Sequence, residues 1–222
     1  MTKTDDKSIV DHPDDLARIA MGRSSLYGFL ASIFRKELDG KTYNEIRSPE
    51  FREALSEFDV ELDGAFIDEP AENVLESLAV EYAALFLGPG GHISPHESVQ
   101  RGGGSLDGPE TDAVKSYIQA AGMRFDEHDQ QMPDHISIEL EFMGHLVGEE
   151  AKAWIDGDSE KARNALEFQK DFLGKHLGGW AGDFFTEVTD RTKAPFYREI
   201  ARLAADFIAT EKKEIETRLG VQ

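Results

Sequence analysis

The chain has 222 residues, of which 40% are hydrophobic and 31% charged, and its 44 Asp and Glu against 24 Lys and Arg give a formal net charge of −20. That composition suits a packed globular core rather than a disordered chain, and such acidity disfavours nucleic acid and anionic membranes, both of which need clustered Lys and Arg. The absence of Cys excludes disulfides, thiolate chemistry and sulfur-ligated zinc.

Residues 1–12, MTKTDDKSIVDH, have neither the basic region nor the apolar core of a signal peptide and are expected to form a flexible tail. No stretch approaches the roughly 20 apolar residues that cross a bilayer, so the expected location is the cytoplasm, without membrane insertion. From Pro13, apolar residues three and four apart, Leu16 to Phe34, predict a helix. A break at Leu38–Gly40 follows, then a short helix opened by Ser48 and Pro49, then a loop over 59–68. Leu75, Leu78, Ala79, Tyr82, Leu85 and Phe86 form the most regular stripe, which stops at Gly88 and Pro89. A glycine-rich loop over 88–108, a candidate hinge, leads to a helix from Pro109 that Gly122 caps. Pro133 opens a further helix through Ile136, Leu140, Met143 and Val147, and the chain restarts after Asp156–Asp158 through Phe168 and Phe172. A break at Gly178 and Gly179, a segment from Trp180 to Val188 and a long helix after Pro195 complete the pattern. No segment alternates as a half-buried strand does, so residues 13–222 are expected to form one all-α bundle of about eight to ten helices.

Asp134, His135, Glu139 and Glu141 cluster where the Pro133 helix begins, with His135 and Glu139 on one face. One reading takes His92, His96, His135 and Glu139 as ligands in a helical metal-dependent hydrolase. Neither HExxH nor a Glu-x-x-His pair is present to support it. A structural reading has Asp134 cap the helix while His135 fills a polar niche. Ser98, beside His96 and Glu97, has no G-x-S-x-G elbow, and the glycine runs lack a P-loop lysine. Neither an enzyme activity nor a bound cofactor is therefore expected. The loop, with the aromatic residues around it, has the parts of an adaptable groove for an apolar peptide segment.

The run EYAALFLGPGGHISPHESV resembles the first signature of the TorD/DmsD/NarJ group of redox-enzyme maturation chaperones, a helix ending Tyr-x-x-Leu-Phe-x-Gly-Pro followed by a loop with Pro-Pro-aromatic-Glu-Ser. DHISIELEFM, Asp134 to Met143, resembles the second, and SSLYGFLASIF, HLGGWAGDFF and PFYREIARLAADF extend the likeness over nearly the whole chain. The resemblance implies an all-helical cytoplasmic chaperone, monomeric or a domain-swapped dimer. Its partner would be the apo catalytic subunit of a molybdopterin enzyme of the dimethyl sulfoxide reductase type, together with that subunit's twin-arginine leader peptide, whose export it would delay until the cofactor is inserted. Carried over by motif, the client-binding residues are Pro95, His96, Glu97, Ser98, Asp134 and His135, with Tyr27 and Tyr82 as wall residues. His96 stands where the family usually has an aromatic residue, and Ser94 where the first of two prolines is common.

Overall fold

The computed structural model of the chain describes residues 12–88, 91–103, 106–125 and 131–220; the expected flexible tail lies outside these but for His12, as do Pro89, Gly90, Gly104 and Ser105 of the glycine-rich loop. The described residues form an all-α fold with no strand. Its helices are α1 (Pro13–Arg35), α2 (Gly40–Arg47), α3 (Pro49–Ser56), α4 (Gly64–Asp68), α5 (Ala71–Tyr82), α6 (Pro109–Ala120), α7 (Ile136–Ile155), α8 (Ser159–Lys175), α9 (Ala181–Arg191) and α10 (Pro195–Leu219).

Helix starts follow local chemistry. Ser48 accepts from Phe51 N with Pro49 in the first turn, and Asp158 accepts from Lys161 N. Two short helices, α2 and α4, were not legible from periodicity because each holds too few apolar residues to define a stripe. Their signal is the capping aspartate: Asp39 accepts from Thr42 N, and Asp63 accepts from Phe66 N within the segment expected to be a loop. The α5 stripe also ends differently from the expectation. The regular helix stops at Tyr82, and Ala83–Leu87 continues as a π-helical turn that buries Leu85 and Phe86 and leaves Leu87 exposed.

Helix α7 is the axis of the bundle, buried on most of its circumference; α1 lies along it in the most extensive helix contact, α8 covers another side, and α10 packs on α9 and α8. Ser24 Oγ donates to Gly144 O at 2.8 Å across the α1–α7 seam. Phe34, Phe86, Phe184 and Phe185 pack as an aromatic cluster joining α1, the π-helical turn and α9. The rest of the core forms one continuous apolar cluster.

A charged network crosses this core. Arg23 on α1 donates from Nε to Glu211 Oε1 at 2.7 Å, from Nη1 to Glu150 Oε2 at 2.8 Å and from Nη2 to Gln169 Oε1 at 2.9 Å. Gln169 Nε2 in turn donates to Glu150 at 3.0 Å. One guanidinium thus ties α1, α7, α8 and α10 together in the interior. Burial alone would lower its pKa, but the hydrogen bonds and charge of Glu211, with the charge of Glu150, outweigh burial and hold it above its ordinary value.

Candidate functional site

The two sequence signatures meet in space. Ile136 N donates to Pro95 O at 2.8 Å and Glu97 N donates to Asp134 O at 2.9 Å, a single antiparallel bridge that pairs His96 with His135. Asp134 Oδ2 accepts from Ser98 N at 3.0 Å. Glu97 and Ser98 open a short helical stretch, so Asp134 acts as a cap supplied by a distant segment. The cap of α7 itself is His135, whose Nδ1 accepts from Ser137 N at 3.1 Å. The capping role that the sequence suggests for Asp134 on its own helix therefore belongs to its neighbour, and Asp134 fastens the loop instead.

Behind this bridge lies a buried polar cluster. Glu97 accepts from Arg101 Nη1 on Oε1 and pairs with His176 Nδ1 on Oε2, both at 2.8 Å. Arg101 Nη1 also donates to Lys175 O at 2.9 Å, and the His176 ring stacks on Phe172 at 5.3 Å. Glu139, one helical turn beyond His135, accepts from Trp180 Nε1 at 3.2 Å and lies against Glu97. Burial first, and then the charge of Glu97, push the Glu139 carboxyl well above the usual carboxylate range. Its Oε1 has no hydrogen-bond partner.

That shift has a measurable consequence. A carboxyl with a raised folded pKa binds its proton more tightly in the native state, so stability falls as pH rises from the unfolded pKa towards the folded one. Glu139→Gln keeps the shape, the acceptor for Trp180 and a donor for Glu97 without the ionisation. Urea titrations are expected to show it more stable than the wild type at pH 8, with the difference shrinking towards pH 5; an equal or reversed difference would mean that Glu139 is ionised in the fold.

The glycines after the signature are explained by this anchoring. Gly102 has φ of 90°, a left-handed conformation that favours glycine. A Cβ on Gly103 would sit 2.6 Å from Ser98 O, too close for any other residue without a backbone shift. The segment is thus a tight, tethered turn over its described part.

In front of the bridge is a pocket of about 230 Å³. Its floor is Tyr82 and Phe86, its sides include Pro95, His96, Val99 and His135, and its rim holds Leu87 and Leu106, 64% and 52% exposed. Tyr82 is fixed by donating from its hydroxyl to Phe34 O at 3.2 Å. The imidazoles of His96 and His135 meet edge to face, with centroids 5.1 Å apart. Burial lowers the pKa of both; for His96 the charge of Asp134 opposes and His92 reinforces the shift, and for His135, reinforced by His96 and Arg35, the value falls to about 3. Both rings are neutral at pH 7 and offer hydrogen bonds without charge.

Of the residues carried over by motif, the pocket therefore gathers Pro95, His96, His135 and Tyr82 on its surface. Glu97, Ser98 and Asp134 lie fully buried behind them and set their positions. Tyr27 is apart: it is buried on α1 against Phe207, with ring centroids 4.7 Å from each other, beside the Arg23 network. The hydrolase set of His92, His96, His135 and Glu139 does not converge, and among the described residues no three His, Asp or Glu side chains are arranged to hold a metal ion. Sequence reasoning missed Arg101, His176 and Trp180. Arg101 was detectable four residues after Glu97 on one helical turn, whereas His176 and Trp180, 79 and 41 residues from their partners, carry no local signal.

Residues 46–186, which include every residue lining the pocket, match the family model described as nitrate reductase delta subunit. Over 204 residues the chain is 27% identical to a chaperone protein TorD of Vibrio cholerae, covering 86% of this chain and 90% of that one. It is 24% identical over 217 residues to the TorD chaperone of Shewanella pealeana, covering 89% and 91% of the two chains. Over 126 residues, 54% of this chain and 63% of the other, it is 34% identical to the selenate reductase assembly chaperone protein of Thauera selenatis. These relatives are chaperones by name and not catalysts.

Proposed function

The chain belongs to the nitrate reductase delta subunit family as a TorD-like chaperone rather than an enzyme, and on that basis we propose that it captures the apo catalytic subunit of a molybdopterin enzyme of the dimethyl sulfoxide reductase type through that subunit's N-terminal leader. The leader is held in the cytoplasm until the cofactor is in place, which delays export. The observation that carries this reading is the pocket where the two family signatures meet, with its exposed apolar rim of Leu87 and Leu106. An apolar rim supplies affinity by leaving water, and two neutral imidazoles supply hydrogen bonds to peptide carbonyls or amides without the desolvation cost of a full charge. Pro95, His96, His135 and Tyr82 are the contact residues; Glu97, Ser98 and Asp134 position them.

The test uses the apo catalytic subunit of a molybdopterin enzyme of the dimethyl sulfoxide reductase type that carries an N-terminal leader. Purified full-length chaperone is expected to bind the apo-subunit and, in calorimetry, a synthetic peptide of its leader. Leu87→Asp, at an exposed position where the fold is insensitive, is expected to weaken peptide binding about tenfold or more by placing a charge on the apolar rim. Equal affinity of Leu87→Asp and wild type would remove the pocket as the site.

A further inference from the structure

The pocket in front of the bridge is lined by titratable rings but by no fixed charge. Among the described residues its surface carries the imidazoles of His92, His96 and His135 and no Asp, Glu, Lys or Arg side chain. His135 is kept from titrating by its geometry. Its Nδ1 accepts the Ser137 N–H at the start of α7, so a proton there would break the cap, and burial takes its pKa down to about 3. His96 is not a cap, and its ring is part-exposed on the pocket side. The ring meets His135 edge to face, and its Nδ1 lies 3.4 Å from Ser94 Oγ. A serine hydroxyl donates to a bare ring nitrogen and accepts from a protonated one, so this contact fits either state. Asp134 and His135 at the start of α7 and His92 in the loop act on the His96 ring; Arg35 on α1 bears on His135, and Glu37 on Tyr82 of α5. The carboxylate of this set nearest in effect, Asp134, is fully buried behind the wall with its Oδ1 unpartnered, so it draws a proton to the ring without lending the pocket surface a counter-charge.

We propose that His96 makes the pocket a proton-gated site, which holds an uncharged apolar segment while the ring is neutral and releases it when the ring takes a proton. The inference rests on the reading of the pocket given above and adds its regulation. An occupant seated on Tyr82 and Phe86 removes the water from the open side of the His96 ring, and a cation left there without water or a partner is costly. Occupancy therefore favours the neutral ring. By linkage, a proton on the ring disfavours the occupant to the same extent. Burial already holds His96 below the ordinary imidazole value, and the occupant lowers it further. A group whose pKa falls on binding gives full affinity above its free value and loses affinity as the pH drops through it. Capture is thus strongest at neutral and alkaline pH and weakens in acid.

The probe is a peptide of Leu, Phe and Ser, capped at both ends and without a titratable group, so that pH acts on the protein alone. Calorimetry with the full-length chain is expected to show binding at least about threefold weaker at pH 5 than at pH 8, with circular dichroism showing the fold intact at both. By NMR the His96 ring is expected to titrate below the ordinary histidine value in the free protein and lower still with the probe bound. His96→Phe, judged by the ratio of its own affinities at the two pH values, is expected to lose the dependence, whereas His92→Gln keeps it. Asp134→Asn removes the charge that helps the ring take a proton and is expected to move the loss of affinity to lower pH. A wild-type affinity equal at pH 8 and pH 5, a loss that persists in His96→Phe, or one that disappears in His92→Gln would overturn the gate; the pocket still stands if Leu87→Asp weakens the probe. Should His96→Phe fail to fold, the NMR titration decides, and a His96 midpoint that the probe leaves unchanged overturns the gate. If the probe does not bind at pH 8, or Leu87→Asp leaves it unaffected, the pocket reading fails together with the inference.

Discussion

Arg23→Met is expected to lower the unfolding free energy by about 3–5 kcal/mol, because it leaves Glu211 in the interior without its cation and Glu150 with only the more distant Arg218, at 3.7 Å. Arg23 is 8% exposed, and its two carboxylate partners are 3% and 0% exposed, so water cannot take over the lost bonds. For a chain of this size the loss corresponds to a fall in melting temperature on the order of 10 °C. The quadruple variant Arg23→Met, Glu150→Leu, Gln169→Leu, Glu211→Leu is expected to recover part of it, since an apolar set removes the buried carboxylates and amide together with their cation and leaves only the part-exposed Arg218 without Glu150. Thermal and urea unfolding of the two variants check this. A single variant as stable as the wild type would mean that the guanidinium contributes nothing net to the fold.

Asp134→Ala is expected to act on the site more than on the bundle. It removes the acceptor for Ser98 N and the negative charge beside His96, leaving the N-terminus of the short loop helix uncapped. A stability loss of about 1–3 kcal/mol follows from the unpaired buried N–H, with helical content unchanged because the core stripes are untouched. The larger effect is on capture: the Pro95–Val99 wall loses its side-chain tie to the start of α7, and the pocket must then be ordered at the expense of binding, so leader affinity should fall by at least about tenfold. Asp134→Asn, which keeps an acceptor oxygen for Ser98 N, should recover most of the affinity. Calorimetry with the leader peptide beside urea titration separates the two effects. An Asp134→Ala variant that binds as well as the wild type would mean that the bridge does not shape the pocket.

The bundle was largely legible because core-facing residues repeat at helical spacing and are marked at their ends by Pro, Ser, Asp and Gly, as in α1, α3, α6 and α10. The Arg23 network was legible in principle too. Arg23 falls between Ala20 and Tyr27 on the buried stripe of α1, and Glu211 between Ile208 and Ile215 on that of α10, so each is a charge at a core position. What the pattern lacked was any indication that these two charges, 188 residues apart, face one another.

The sequence by itself determined the helical class, the acidic surface and the two signatures that place the chain in its family, because these depend on residue type and on spacings within a few turns. Only the tertiary structure decided what the signature residues do. Glu97, Ser98 and Asp134, which the motifs carry over as client-binding residues, are fully buried and His135 is nearly so, while Pro95 and His96 are the part-exposed members of the set. The reason is that a buried polar group must find its partner inside the protein, and the partners here, Asp134 for Ser98 and His176 for Glu97, come from segments 36 and 79 residues away. Local spacing carries no record of such pairings; they exist only once α7 and α8 bring the two halves of the chain together.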